Sequence, residues 1–177
     1  MGNEGYGIDP ATVDEVCGQI VAVRDLGAEI AIVVGGGNIF RGMKAEKQGI
    51  DRVTADHMGM IATLLNALTL RARLERMGVP TSVQTAIAME KVAEPYNRRE
   101  AERDLAAGNV VIFACGTGNP YFTTDTAAAL RAVEVGANAL LKATKVDGVY
   151  DSDPVANANA LFFHDIAYMD VIKKNLG

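Results

Sequence analysis

Hydrophobic positions along this chain repeat with two different periods, and the switches between them mark out its elements. Val13, Val16, Ile20, Val23 and Leu26 recur at steps of three and four residues, the spacing of one buried helical face. Asp9-Pro10 ahead of them offers an N-cap and a proline in the first helical position, and Gly27 offers a stop. Residues 29–34 then read Glu-Ile-Ala-Ile-Val-Val, a β-branched run suited to a parallel strand covered on both faces. The run breaks off into Gly35-Gly36-Gly37-Asn38.

Helical spacing returns from Val53 to Met77, with Met58, Ile61, Leu65 and Leu68 on the predicted apolar face and Gly78 as the stop. Val79–Thr85 reads as a strand, Glu94–Ala107 as a charged helix, and Val110–Cys115 as a second buried strand ending in Gly116-Thr117-Gly118-Asn119-Pro120. Thr124–Val135 predicts a helix, Ala139–Ala143 a strand, Lys145–Pro154 a turn-rich stretch, and Phe162–Lys174 a strand followed by a helix. Strands alternating with helices predict an α/β fold, a three-layer sandwich with a mainly parallel sheet. In such sheets ligands bind beyond the carboxyl ends of the strands. Both glycine-rich loops leave strand carboxyl ends, so they are expected to line one rim.

The length of 177 residues fits one domain, and 49% hydrophobic content is enough for a real core. A net charge of −5 argues against a dedicated nucleic-acid or anionic-membrane surface. The two cysteines, Cys17 and Cys115, form no CxxC pair and read as reduced thiols. His57 and His164 have no zinc-ligand spacing, so no protein-built metal site is expected. No apolar run is long enough to span a bilayer and no signal-peptide layout opens the chain, which makes a cytoplasmic location the expectation.

A glycine run after a strand lets backbone N–H groups approach an anion, and a helix start just beyond adds the positive end of its dipole. Gly35-Gly36-Gly37 followed by Asn38-Ile39-Phe40-Arg41 has this form. The same residues also suit a tight strand-to-helix turn that needs glycine for sterics alone. Neither loop continues into Gly-Lys-Ser/Thr, so a P-loop is excluded, and Gly116-Thr117-Gly118 lacks the third glycine of a dinucleotide fingerprint. Gly116 to Asp125 packs hydroxyls, an amide, two aromatics and a carboxylate ahead of a helix. A cap needs only one such residue, so this density points to ligand readout.

Four segments, Gly35–Gly42, Ala55–Met60, Gly116–Asp125 and Lys142–Tyr150, together resemble the signature segments of bacterial UMP kinases, in that family's order and spacing. Those enzymes have the amino acid kinase fold and are typically homohexamers. The resemblance implies transfer of the γ-phosphoryl group of ATP, with Mg²⁺, to UMP. It puts Gly36, Asp56 and the stretch Thr117, Gly118, Asn119, Pro120, Tyr121, Phe122, Thr123 and Thr124 on UMP, with Asp56 on the ribose hydroxyls. Gly37 and Arg41 fall by the ATP phosphates, and Thr144, Tyr150 and Asp153 on the adenine-nucleotide side. Arg41 and Asp125 are the implied catalytic pair, the first for transition-state charge and the second for orienting lysines. Each has a plainer reading: Arg41 as a surface ion pair, Asp56 and Asp125 as helix caps, Tyr150 as a half-buried surface ring.

Gly2, Asn3, Glu4, Gly5, Tyr6 and Gly7 match the family segment associated with GTP activation, and UTP is the implied inhibitor. Relative to the family pattern, the chain begins beyond an opening Lys-x-Ser-Gly-Glu loop and stops before the last helices and strands, so it reads as one incomplete amino acid kinase domain. The alternatives are a non-catalytic UMP- and ATP-binding homologue, or another small-molecule kinase of the same superfamily.

Overall fold

The computed structural model describes residues 7–40, 49–144 and 146–176. The chain forms two compact units, Met1–Leu140 and Leu141–Gly177. In the first, helix α1 (Pro10–Asp25) begins as the sequence predicts: Asp9 accepts a hydrogen bond from Thr12 N–H, and Pro10 takes the first turn. Strand β1 is Ala31–Val33, helix α2 Arg52–Arg76, strand β2 Thr81–Thr85 and strand β3 Glu94–Pro95. Helix α3 (Arg98–Ala106), strand β4 (Val110–Ala114) and helix α4 (Thr124–Glu134) complete this unit.

The four strands form one parallel sheet in the order β1-β4-β2-β3. Central β4 is buried along its whole length, and its alternation divides the core. Val110, Ile112 and Ala114 join the cluster under α1 and α2, whereas Val111 and Phe113 pack with Ala101 and Leu105 of α3. Helices thus cover both faces of the sheet, the three layers expected of a parallel sheet. Leu74 of α2 is fully buried, and such a side chain contributes about 1.5–3 kcal/mol.

Two predicted apolar faces need correcting. On α1 the packed stripe is Val13, Cys17, Ile20 and Val21, while Val16, Val23 and Leu26 are exposed. On α2, Met58, Ile61 and Leu65 face outward and only Leu68 of the predicted set packs on the core. The buried side of α2 is built from Ala55, Met60, Ala62, Thr63, Leu64, Ala67, Leu70 and Leu74. Small residues let the sheet and its loops approach the helix closely. Large apolar side chains stand on both sides of α2, so periodicity alone does not single out the buried one. On the opposite layer, Arg131 of α4 lies 3.6 Å from the Tyr96 ring centroid, and Tyr96 Oη donates to Glu134 at 2.7 Å.

Three further boundaries differ from expectation. Glu94-Pro95 is a strand rather than a helix start, because Asn97 caps α3 by accepting from Arg99 and Glu100 N–H. Residues 139–143 form no strand: they are exposed and pair with no strand among the described residues, and an extended segment without a partner edge leaves its ladder groups to water. The second unit contains an antiparallel pair, β5 (Val149–Tyr150) with β6 (Phe162–Phe163), followed by helix α5 (Tyr168–Lys173). The pair places a short strand inside the stretch read as turn-rich. Among the described residues, no helix is long and apolar enough to cross a membrane.

Candidate active site

Because β1 and β4 are hydrogen-bonded neighbours running the same way, the two glycine loops emerge side by side at their carboxyl ends. The first loop docks on α2. A Cβ on Gly36 would lie 2.7 Å from the carbonyl oxygen of Gly59 and 2.9 Å from the Ala62 Cβ, so only glycine allows this approach. Gly36 O then accepts from both Ile39 and Phe40 N–H at 2.9 Å, folding the chain back as a turn.

The second loop is set by Cys115, whose backbone is left-handed (φ 62°) and whose buried N–H donates to Thr63 Oγ1 at 2.7 Å. Thr63 Oγ1 in turn donates to Met60 O, which leaves both groups satisfied in the core. Thr117 and Asn119 close a local turn, with Asn119 N–H donating to Thr117 Oγ1 at 3.2 Å. Gly118 (φ 78°) brings the loop against Ala86, where a Cβ would stand 3.0 Å from the carbonyl oxygen. Thr123 caps α4 by accepting from Thr126 N–H. The cap is therefore Thr123, and Asp125 occupies the first turn behind it.

Between these loops and the first turns of α2 lies a cleft of about 250 Å³. Gly36, Gly37, Asp56, Thr117 and Asn119 all border it, as do Phe122, Thr123 and Thr124. Gly118, Pro120 and Tyr121 belong to the same loop without bordering the cleft. The N-terminus of α4 opens toward it through Thr123 and Thr124, a favourable location for an anion.

Asp56 is the electrostatic pivot of the cleft. Its carboxylate receives Arg52 Nε at 2.9 Å and the N–H of Tyr121 at 2.7 Å. This second bond straps α2 to the opposite loop and holds Tyr121 in a left-handed backbone conformation (φ 72°). Partial burial pushes the Asp56 carboxyl up, but the Tyr121 N–H and Arg52 outweigh it and hold the carboxyl below the ordinary aspartate range. A depressed folded-state value means that the ionised strap stabilises the fold above the unfolded aspartate pKa of about 3.8, and that this contribution is lost as pH falls through the lower, folded value. An NMR titration of the Tyr121 amide is expected to show a midpoint below 3.8, and a midpoint above it would contradict the strap.

The sequence model of the amino acid kinase family matches residues 3–177. The chain belongs to the amino acid kinase family. Among solved structures it is similar to a UMP kinase from Bacillus anthracis, with 40% identity and a TM-score of 0.93 over 98% of this chain and 72% of that one. It is also similar to a UMP kinase from Ureaplasma parvum, with 38% identity and a TM-score of 0.92 over 99% of this chain and 74% of the other. A uridylate kinase from Archaeoglobus fulgidus has 28% identity and a TM-score of 0.71, over 93% and 71% of the two chains.

Several residues of this amino acid kinase border the cleft without having been singled out from sequence. Arg52 is the main one, positioned both as the partner of Asp56 and with its guanidinium 5.8 Å from the Tyr121 ring centroid. The signal available was the Arg52–Asp56 spacing of four residues on a helix. Phe40, Gly59 and Thr63 also border it, and Met60 forms core and cleft wall at once. Arg41 and the segment Gly2 to Tyr6 lie outside the described residues.

Thr144, Tyr150 and Asp153 lie in the second unit. There the Thr144 hydroxyl accepts from Val146 N–H, Tyr150 packs its half-buried ring on Phe162 with centroids 5.2 Å apart, and Asp153 caps a turn by accepting from Val155 N–H.

Proposed function

We propose that this chain is a UMP kinase, transferring the γ-phosphoryl group of ATP to UMP to give ADP and UDP. The observation that carries this reading is the convergence of two glycine loops and Asp56 on one cleft, within a fold shared at 40% identity with a UMP kinase. Gly36 and the stretch Thr117 to Thr124 hold UMP, with hydroxyl and amide groups reading the uracil edge and backbone N–H groups meeting the phosphate. Asp56 accepts from the ribose hydroxyls, a task suited to a two-oxygen acceptor.

Gly37 and Arg41 serve the ATP phosphates, Thr144, Tyr150 and Asp153 the adenine-nucleotide side, and Asp125 orients catalytic lysines. An oxygen of the UMP phosphate attacks the γ-phosphorus as its bond to the β–γ bridging oxygen breaks. The nucleophile is already anionic, so no base is required, and Arg41 offsets the charge that spreads over the transferring group. The cleft's donor set of hydroxyls, amides and one carboxylate held by Arg52 suits phosphate and ribose, and Mg²⁺ bound with ATP would supply charge neutralisation held mainly by phosphate oxygens and water. The same reading makes the protein a cytoplasmic, homohexameric enzyme of pyrimidine nucleotide biosynthesis, with GTP and UTP as effectors. It has no role for nucleic acid or membrane.

The test is a coupled ADP-release assay with Mg-ATP and UMP, run beside CMP and paired with melting curves. UMP-dependent turnover is expected. UMP at about 100 times its Kd is expected to raise the melting temperature by roughly 5–10 °C. A chain that neither turns over nor is stabilised by UMP would sink the assignment.

A further inference from the structure

One buried-edge feature lies outside the cleft wall. Asn66, half-buried on α2 two turns beyond Gly59, forms a reciprocal amide pair with Asn38 at the end of the first glycine loop. Asn38 Nδ2 donates to Asn66 Oδ1 at 3.1 Å, and Asn66 Nδ2 donates to Asn38 Oδ1 at 2.7 Å. The second N–H of each amide goes to backbone: Asn66 Nδ2 to Gly35 O at 2.7 Å and Asn38 Nδ2 to Gly7 O at 2.8 Å. Gly7 N–H returns a bond to Asn38 O at 2.6 Å.

Every amide donor of the pair is thereby used, and three segments distant in sequence meet at it. Helix packing does not require this, since Asn66 is flanked by Ala67 and Leu70, which already seat α2 on the core. The bond to Gly35 O holds the carbonyl immediately before Gly36, the residue with no room to shift against α2. We propose that Asn66 is a positioning residue for the glycine loop: it fixes the Gly35 peptide, and with Asn38 it pins both ends of the turn that presents Gly36 and Gly37 to the cleft. That it tunes nucleotide binding rests on the UMP kinase reading; that it orders the loop does not.

Asn66→Asp is the informative substitution, because a carboxylate of the same size still accepts from Asn38 Nδ2 but donates nothing to Gly35 O. Asn66→Ala removes both. Hydrogen exchange at Ile39 and Phe40, whose N–H groups bond to Gly36 O, is expected to speed up at least about tenfold in both variants. Amides of β4 and α3 should keep wild-type protection. The Kd for UMP, read by calorimetry, is expected to rise about tenfold in both variants.

A purely space-filling Asn66 would leave Asn66→Asp like wild type in exchange and in Kd, and that result would overturn the proposal. Loosened Ile39 and Phe40 amides in Asn66→Asp, in a chain whose wild type binds no UMP, would uphold the positioning role and sink the UMP kinase reading instead. Unchanged exchange in both variants would remove the inference while leaving that reading intact.

Discussion

Gly36→Ala is expected to displace the first glycine loop and weaken UMP binding by up to roughly 150-fold. The cause is space rather than backbone angle. The new methyl group would meet Gly59 O at 2.7 Å, Ala62 Cβ at 2.9 Å and Thr63 N at 3.0 Å, and two of these three atoms are helix backbone that cannot rotate away. Relief must come from the loop lifting off α2. Overpacking of this kind costs about 1–3 kcal/mol, which for a protein of this size lowers the melting temperature by roughly 2–12 °C. Binding that needs the seated loop bears the same cost, so about 1–3 kcal/mol is read as roughly 5- to 150-fold in UMP affinity. Melting curves and UMP titrations on the same preparation check both. Wild-type values in both would mean that α2 yields, and that the close approach does not set the loop.

Asp56→Ala is also expected to weaken UMP binding, through lost charge rather than lost space, with a modest loss of stability. The Arg52–Asp56 pair is an i,i+4 contact whose arginine is about half exposed, and such pairs contribute roughly 0–1 kcal/mol to folding. The Tyr121 N–H bond to the same carboxylate is lost as well, at about 0.5–1.5 kcal/mol, so the melting temperature should fall by no more than roughly 10 °C. On the proposed UMP reading the carboxylate has two tasks in binding: receiving the ribose hydroxyls and holding the Tyr121 strap that shapes the opposite wall. Hydrogen bonds to a charged group contribute about 1.5–3 kcal/mol, or roughly 10- to 150-fold in affinity. Asp56→Asn should fall between wild type and alanine, since it keeps one acceptor oxygen and loses the charge. UMP affinity unchanged in Asp56→Ala would remove Asp56 from the site, whatever happened to the fold.

Much of the architecture was legible along the chain because it rests on local signals. Asp9 and Pro10 start α1, Gly78 follows α2, and the β-branched runs at 29–34 and 110–115 contain β1 and β4. The loops were legible for the same reason: glycines and small polar residues packed after a strand have few uses other than a turn or a ligand site. The face of α2 was not legible. Met58, Ile61 and Leu65 are as large and apolar as the buried Met60, Leu64 and Leu70, so size does not mark the buried side, which also carries Ala55, Ala62 and Ala67. What decides burial there is how closely a glycine loop and a sheet must approach, and no periodicity within the helix carries that distance. Residues 139–143 fail as a strand on similar grounds, since a strand depends on a neighbour that a local run cannot supply.

The sequence by itself thus determined the order of elements, the parallel α/β class and the two loops rich in glycine and polar groups, because capping, β-branching and backbone freedom act within a few residues. Only the tertiary structure decided that β4 inserts between β1 and β2, which sets residues 36 and 117 side by side on the rim that the strand ends predict. It alone joined Asp56 to Tyr121 across 65 positions, and Asn66 to Gly35 across 31. Those contacts depend on which strands are neighbours and how near a helix can come, quantities set by packing of the whole core rather than by any segment of the chain.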